Sequence, residues 1–205
     1  MGIYYQKGKY IVPDMFLSLD VKHPKEWRDK KDKCYIAWEM GKMPELVLEI
    51  VSNKIGGEDT EKKKLYAELG IKYYVIYDPY QYLSEKELRV YELKANEKYV
   101  LVQRKHNFMP LVNLGIKLWT GLYEGEGDTW ARWCDKNGVF LKTGSEQAKI
   151  ERAEKEKAEK AKKEAEEREA QAQAEKEKEK RRADEAEEQL RQLKAQLEAL
   201  KLNQE

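Results

Sequence analysis

The sequence predicts an α/β fold: a mixed sheet with one crossover helix, followed by a long C-terminal helix that can form a coiled coil. The apolar strand pattern at Glu45–Ser52 is followed by a short amphipathic segment and then by the aromatic run Tyr73–Tyr77. Strand, helix and buried strand in this order indicate a parallel pair joined by a right-handed crossover. From Ser145 to the end, the sequence lacks Gly and Pro and is rich in Ala, Glu, Lys, Arg and Gln, which predicts a continuous helix.

Composition divides the chain into two parts, a domain at 1–143 and a charged helical tail at 145–205. All 5 Trp, 13 Tyr and 3 Phe precede Ser145, so only the first part can build a packed core. The tail has 16 basic and 18 acidic residues, and the whole chain has a net charge of +1. A charge this close to zero does not by itself indicate a nucleic-acid partner.

The sequence predicts a cytoplasmic protein without a membrane partner. Cys34 and Cys134 do not form a CxxC motif, and reduced thiols are typical of the cytosol. The chain shows neither a signal peptide nor an apolar run long enough to cross a bilayer.

The first half of the domain reads as short strands separated by a charged loop. A brief extended region around Tyr4 and Tyr10 precedes the predicted strands Met15–Leu19 and Cys34–Met40. Between these strands, the segment from Lys22 to Lys33 mixes basic and acidic residues and contains a proline, which indicates a solvated loop. The third strand is Glu45–Ser52.

The second half begins with a glycine break and the crossover helix. Gly56-Gly57 precede the predicted helix Glu58–Leu69, and Gly70 ends it. Asp78-Pro79 closes the strand Tyr73–Tyr77, and alternation predicts a hairpin of 88–93 with 99–103. The Gly- and Trp-rich stretch 118–141 is predicted to add short edge strands. Three tryptophans there are interpreted as packing residues rather than a base-stacking platform: Trp119, Trp130 and Trp133.

A lysine and a glutamate stand where apolar residues are expected. Lys62 lies three, four and seven residues before Leu65, Tyr66 and Leu69, so it shares their inward face, whereas Lys63 and Lys64 are predicted to point elsewhere. Glu49 is the polar residue in an otherwise aliphatic strand. Such residues are rarely buried unless they are paired or functional, so a polar site is predicted where helix and sheet meet.

A second carboxylate, Asp14, follows Pro13 at the start of a predicted strand. If that strand neighbours the strand of Glu49, the two acids converge at one edge of the sheet. Together with the backbone carbonyl of Ile50 they would suit a hard cation, Mg²⁺, with Mn²⁺ as the alternative ion. Such an ion assists phosphodiester cleavage, and Lys62 could orient or activate water or neutralise charge on the phosphate.

Simpler interpretations of the same residues remain open. Glu49 could end an exposed edge strand with Lys62 as its structural ion-pair partner, since such pairs form without catalysis. Asp14 could be a turn residue or a helix cap, the usual role of an isolated Pro-Asp.

Several motifs, in order, resemble the Uma-type restriction endonuclease family, a bacterial branch of the P-D…(D/E)-x-K nuclease superfamily. The similarity covers most of residues 1–120 and lies at these positions: Pro13-Asp14, Glu49–Ser52, Glu61-Lys62, Tyr66, Gly70-Ile71 and Asp78-Pro79. It implies a restriction-endonuclease-like fold, a DNA substrate, and Asp14 and Glu49 as metal ligands. Val51 occupies the position of the superfamily's usual lysine, so the resemblance implies that Lys62 supplies the amine from the helix. It also implies family elements before Met1, so the domain is expected to be incomplete at its N-terminus.

The tail allows two interpretations. In heptad register, the positions that would form the seam near the end are Ala183, Ala186, Leu190, Leu193, Leu197 and Leu200. Farther back, charged residues occupy the a positions, so i, i+4 ion pairs would hold the helix. The first interpretation is a coiled coil that makes a homo-oligomer, and the second is a solvated single-helix spacer.

The leading functional hypothesis is therefore a metal-dependent DNA endonuclease with Asp14, Glu49 and Lys62 as catalytic residues. The alternative is an inactive nuclease-like domain that serves as an interaction or oligomerisation protein through its tail. A nucleic-acid binder without cleavage is a third hypothesis, which the weak charge balance does not favour.

Overall fold

The computed structural model describes residues 1–22 and 34–202. The chain divides into two compact units, Met1–Leu141 and Lys142–Glu205, which are described separately below.

In its described residues, 1–22 and 34–141, the first unit has ten strands and two α-helices in the order β1–β4, α1, β5, α2, β6–β10. The strands are β1 Ile3–Gln6, β2 Lys9–Ile11, β3 Met15–Leu17, β4 Tyr35–Ile36, β5 Leu46–Ile50, β6 Tyr73–Tyr77, β7 Leu88–Leu93, β8 Tyr99–Leu101, β9 Gly115–Tyr123 and β10 Glu126–Cys134. The helices are α1 Ala37–Met40 and α2 Glu61–Glu68, with short 3-10 turns at Lys105–Asn107 and Pro110–Val112.

A five-stranded mixed sheet in the order β3-β5-β6-β7-β8 forms the centre of this unit. β5 and β6 are parallel and α2 connects them, whereas the other neighbours in the sheet are antiparallel. The predicted parallel pair with a crossover helix is confirmed, and so is the restriction-endonuclease-like α/β fold class. A three-stranded sheet, β2-β1-β4, and the β9–β10 hairpin accompany the central sheet.

Apolar side chains cover both faces of the central sheet, because successive residues of a strand point to opposite sides. On one face, Val47 and Val51 pack with Tyr66 of α2. On the other face, Leu46 and Leu48 pack with Ile116 of β9. Glu49 belongs by alternation to the set of Val47 and Val51, so its side chain faces α2.

The end of α2 is fixed by a glycine in the left-handed conformation. Gly70 has a φ of 75°, its backbone N–H donates to the carbonyl of Ala67, and the N–H of Ile71 donates to the carbonyl of Tyr66. These two hydrogen bonds form a Schellman motif, which a residue without a side chain adopts at little cost. The predicted stop of the helix at Gly70 is therefore confirmed.

Two predicted strands differ from the structure. The predicted strand Cys34–Met40 is wrong in its second half, because only Tyr35–Ile36 is extended and Ala37–Met40 forms α1. The stretch 118–141 forms a long two-stranded hairpin in a sheet of its own rather than short edge strands. The two strands are long because β9 and β10 pair without interruption, from Gly115 opposite Cys134 to Tyr123 opposite Glu126. Of the predicted solvated loop, residues 23–33 lie outside the described part of the chain.

The second unit is one helix, α3, spanning Gly144–Leu202. It begins with a reciprocal capping box: the Thr143 hydroxyl accepts from the N–H of Glu146, and the Glu146 carboxylate accepts from the N–H of Thr143. Exposed i, i+4 pairs such as Glu177 with Arg181 support it farther along. Leu190 and Leu193 are exposed, and the side chains of Leu197 and Leu200 lie outside the described residues, so oligomerisation stays a prediction.

Candidate functional site

The two predicted acids lie at the same end of two neighbouring strands of the central sheet, Asp14 directly before β3 and Glu49 near the end of β5. β3 and β5 pair with Met15 opposite Leu48, so Asp14 and Glu49 follow at the next position of the antiparallel ladder. Directly opposite residues of such a ladder share one face of the sheet. The arrangement predicted from the sequence, with two carboxylates on neighbouring strands, is the one that the structure has.

Asp14 is exposed and is held by a residue distant in sequence. Its Oδ2 accepts a hydrogen bond of 2.7 Å from the backbone N–H of Ile50. Asp14 lies at a bend directly before β3, so the turn interpretation stays open, and the hydrogen bond to Ile50 in addition ties Asp14 to β5. The structure thus places the N–H of Ile50 beside Asp14, while a role for the Ile50 carbonyl as a metal ligand stays a prediction.

Glu49 is deeply buried, with 2% of its surface exposed. The Tyr66 hydroxyl donates to Oε1 over 2.5 Å, and Nζ of Lys62 donates to Oε2 over 3.0 Å. Burial raises the pKa of the Glu49 carboxyl above its usual value and the charge of Asp14 adds to this, although the bonds from Tyr66 and Lys62 oppose it. The alternative in which Glu49 ends an exposed edge strand is wrong, because β5 lies between β3 and β6.

Lys62 bridges two acids at the start of α2. Besides Glu49, its Nζ contacts Oε1 of Glu58 at 3.1 Å, and 30% of its side chain is exposed. Burial alone would lower the pKa of Lys62, but the hydrogen bonds to Glu49 and Glu58 and their charges raise it above the usual value. Lys62 therefore carries a positive charge at neutral pH, which suits charge neutralisation and not proton abstraction.

Glu58 is a member of the site that sequence reasoning missed. It is 6% exposed, and its Oε2 is buried without a hydrogen-bond partner among the described residues. A Cβ on Gly56 would lie 2.1 Å from the Glu58 carboxylate, so a side chain at position 56 would displace that carboxylate from its present place. The Tyr74 hydroxyl holds the segment by donating to the Glu58 carbonyl over 2.7 Å. The i, i+4 spacing of Glu58 and Lys62 was the available signal.

Lys63 forms a second, parallel set of contacts, so the prediction that it points elsewhere is wrong. Its Nζ contacts Asp59 Oδ1 at 3.0 Å and lies 3.7 Å from the centre of the Tyr91 ring. Asp59 also accepts a hydrogen bond from Arg89 of β7, which is 5% exposed. Successive residues of a helix are turned by about 100°, so Lys62 and Lys63 leave α2 on different sides of the helix axis and both reach the same face of the sheet. Lys64 is exposed, as predicted.

The carboxylate oxygens of the site are the atoms that could bind the cation that the resemblance implies. Mg²⁺ prefers oxygen ligands and is usually bound through one or two carboxylates with several waters retained. Asp14 and Glu49 supply two carboxylates. Lys62 contacts both Glu49 and Glu58, and Oε2 of Glu58 has no hydrogen-bond partner among the described residues. Within 1–22 and 34–202, no group of three or more His, Cys, Asp or Glu residues forms a complete metal cage. Both oxygens of Glu49 already accept hydrogen bonds, which leaves Asp14 as the exposed carboxylate, so Mg²⁺ binding with several retained waters stays a prediction.

Comparison with known proteins gives one finding. The family model Uma2, described as "Putative restriction endonuclease", matches residues 1–119. The chain belongs to the Uma2 family. No curated protein and no solved structure matches the chain. In the described ranges, no helix is long and apolar enough to cross a membrane.

Membership of Uma2 makes the position of Val51 informative. Val51 lies two residues after Glu49 on the same face of β5, and it is 1% exposed in the core beneath α2. A lysine there would be surrounded by aliphatic and aromatic side chains. In this Uma2 chain the amine instead reaches Glu49 from Lys62, as predicted from the facing of the helix.

Proposed function

We propose that this protein is a Mg²⁺-dependent DNA endonuclease. The observation that carries the proposal is the buried Glu49 carboxylate. It accepts hydrogen bonds from Tyr66 and Lys62, and Asp14 lies beside it at the start of the neighbouring strand. A carboxylate kept in an apolar interior with a fixed orientation and a cationic partner is characteristic of functional sites. The family description supports the reaction class.

The chain's own groups divide the work of such a reaction. Asp14 and Glu49 would hold the cation, which supplies Lewis-acid activation of the scissile phosphate and a bound water of lowered pKa. Tyr66 fixes the Glu49 carboxylate in one orientation by its hydrogen bond. Lys62, kept protonated by Glu49 and Glu58, would neutralise charge that develops on the phosphate.

Nicking of supercoiled plasmid in Mg²⁺ against EDTA tests the proposal. Wild type should nick in Mg²⁺, and Glu49→Gln and Asp14→Asn should each lower the rate roughly 100-fold or more. Glu85→Gln, which changes an exposed glutamate elsewhere in the same unit, is the matched control and should keep full activity. Equal nicking by wild type and Glu49→Gln would remove the assignment.

A second candidate function is an inactive nuclease-like domain that assembles through α3. The length of that helix, Gly144–Leu202, and the exposed Leu190 and Leu193 favour it. Sedimentation of the full chain against the double variant Leu190→Lys, Leu193→Lys decides whether the tail assembles. A wild-type oligomer that the variant dissociates, combined with no nicking, would favour this alternative over the endonuclease.

A further inference from the structure

A cavity of about 450 Å³ adjoins the candidate site at the carboxyl ends of β5 and β6, and residues of β10 line it as well. Asp14 belongs both to the edge of the candidate site and to the lining of this cavity. A molecule whose backbone reaches Asp14 therefore has an adjacent space that can receive a neighbouring group.

Aromatic side chains from three segments of the chain form the walls. They are Tyr77, Tyr80, Trp130 and Trp133. The Tyr77 hydroxyl donates to the Thr129 carbonyl, and Trp130 Nε1 donates to the Gly121 carbonyl over 3.1 Å. The polar atoms of Tyr77 and Trp130 are thus already engaged. Alternation along β10 directs Trp130 and Trp133 to opposite faces, and Trp133 is the one that packs beside Ile116 on the cavity side. Tyr80 is 65% exposed, so the cavity is open to solvent on its side.

The polar side chains of the lining are carboxylates, which accept hydrogen bonds, and hydroxyls, which accept and donate them. Asp14, Asp128, Ser52 and Thr129 contribute carboxylate and hydroxyl oxygens. None of the described residues that line the cavity is Lys, Arg or His. A phosphate would meet uncompensated negative charge there. A flat, neutral ring that carries N–H donors fits both the aromatic walls and the acceptors, and nucleobases have this chemistry.

We propose that the cavity binds an unpaired base of the nucleic acid whose backbone lies at Asp14. This inference rests on the proposed endonuclease function for the identity of the ligand, and it deepens that function by naming its substrate class. The substrate is then DNA with an unpaired or extruded base, because a base inside a duplex is stacked and cannot enter a cavity. Trp133, which the sequence predicted to serve for packing, would then form part of a stacking surface.

Fluorescence of oligonucleotides that contain 2-aminopurine tests this inference with the full chain in EDTA, where cleavage is absent. Three substrates are compared: a single strand, a fully paired duplex, and a duplex with 2-aminopurine opposite an abasic position. Wild type should bind the first and third more tightly than the second and quench the probe by stacking. Tyr80→Leu should weaken binding of the unpaired probe roughly five- to 100-fold.

Two variants control for the fold and for the aromatic ring. Tyr10 is an exposed tyrosine that does not line the cavity, so Tyr10→Leu should bind as wild type. Tyr80→Phe keeps the ring and should restore binding to within about twofold. Equal affinity of wild type for paired and unpaired probes, or equal loss in Tyr80→Leu and Tyr10→Leu, would overturn the inference. So would a change in tryptophan fluorescence that follows protein concentration without DNA, since a second copy would then occupy the cavity.

The outcomes separate the two proposals. A preference for unpaired bases that depends on Tyr80, together with no Mg²⁺-dependent nicking, would leave the base site standing and remove the endonuclease. Nicking that depends on Glu49, together with no preference for unpaired bases, would do the reverse.

Discussion

Tyr66 and Glu49, seventeen residues apart, are joined by a hydrogen bond of 2.5 Å from the tyrosine hydroxyl to Oε1 of the carboxylate. Both residues are almost completely buried. Burial raises the pKa of the Tyr66 hydroxyl, and the charge and hydrogen bond of Glu49 raise it further, so the phenol stays protonated and acts as a donor. This bond links α2 to β5 at the residue on which the candidate site depends.

Tyr66→Phe removes that donor while it keeps the ring in the core. We expect a loss of about 1.5–3 kcal/mol in the free energy of unfolding at neutral pH, because a buried carboxylate loses a hydrogen bond. Urea denaturation measures the loss, and Tyr10→Phe, at an exposed tyrosine, is the control. Equal stability of both variants would mean that Glu49 does not depend on Tyr66.

Lys62→Met leaves Glu49 and Glu58 without their shared cation. We expect a loss of about 3 kcal/mol at neutral pH, the lower end for a broken buried pair because Lys62 is partly exposed. Lys64→Met, which changes an exposed lysine of the same helix, should have an effect within about 0.5 kcal/mol.

The loss in Lys62→Met should also depend on pH. The pKa of Glu49 is already raised in the folded state, so its contribution to stability is present below the usual value of 4.5 and is lost as pH rises through the folded value. Removal of Lys62 raises that folded pKa further. The difference between wild type and variant should therefore be larger at about pH 7 than at about pH 4, as thermal unfolding at both pH values would show. A difference that does not change with pH would contradict this account.

Asp59→Asn tests the second set of contacts. Arg89 is nearly buried, and its Nε and Nη2 lack a hydrogen-bond partner in the described part of the chain. The variant also removes the carboxylate that pairs with Arg89. We expect a loss of about 3 kcal/mol. The exposed Asp20→Asn is the control for denaturation. Wild-type stability in Asp59→Asn would show that Arg89 does not need the pair.

Glu92 should make stability fall in acid. The hydrogen bond from Lys94, with those from Arg104 and Lys72, lowers the pKa of Glu92 from 4.5 to about 2, although burial opposes this. A lowered folded pKa gives stability that is present above the usual value and is lost as pH falls toward the folded one. Glu92→Gln should therefore reduce the fall in melting temperature between pH 4.5 and about 2, whereas Glu85→Gln should not.

The sequence predicted best the features that depend on local pattern. The strand Tyr73–Tyr77 matches the structure residue for residue, because an apolar run between Gly70 and Asp78-Pro79 leaves one choice for each end. The facing of Lys62 toward Glu49 followed from helical periodicity alone. The second half of the predicted strand at 34–40 failed because a segment so short carries both strand and helix patterns, and contacts distant in sequence decide between them.

The parts of the site that the sequence did not reveal depend on contacts distant in sequence. Arg89 meets Asp59 thirty residues away, and its position in an alternating strand resembles that of any exposed arginine. Glu58 precedes the helix, where an acid is also expected as a favourable first-turn charge. Lys63 was assigned to solvent because a single inward stripe was assumed, whereas α2 presents two adjacent lysines to two different acids.

The two acid–lysine pairs that start α2, Glu58 with Lys62 and Asp59 with Lys63, are offset by one residue and contact different strands. Two independent sets of contacts therefore fix the rotation of α2 about its axis. An inserted or deleted residue between 59 and 62 would change the spacing within both pairs and detach both lysines at once. Length variation among related chains should therefore be tolerated between Asn53 and Ile55, where the chain is exposed, and be absent from 58 to 63.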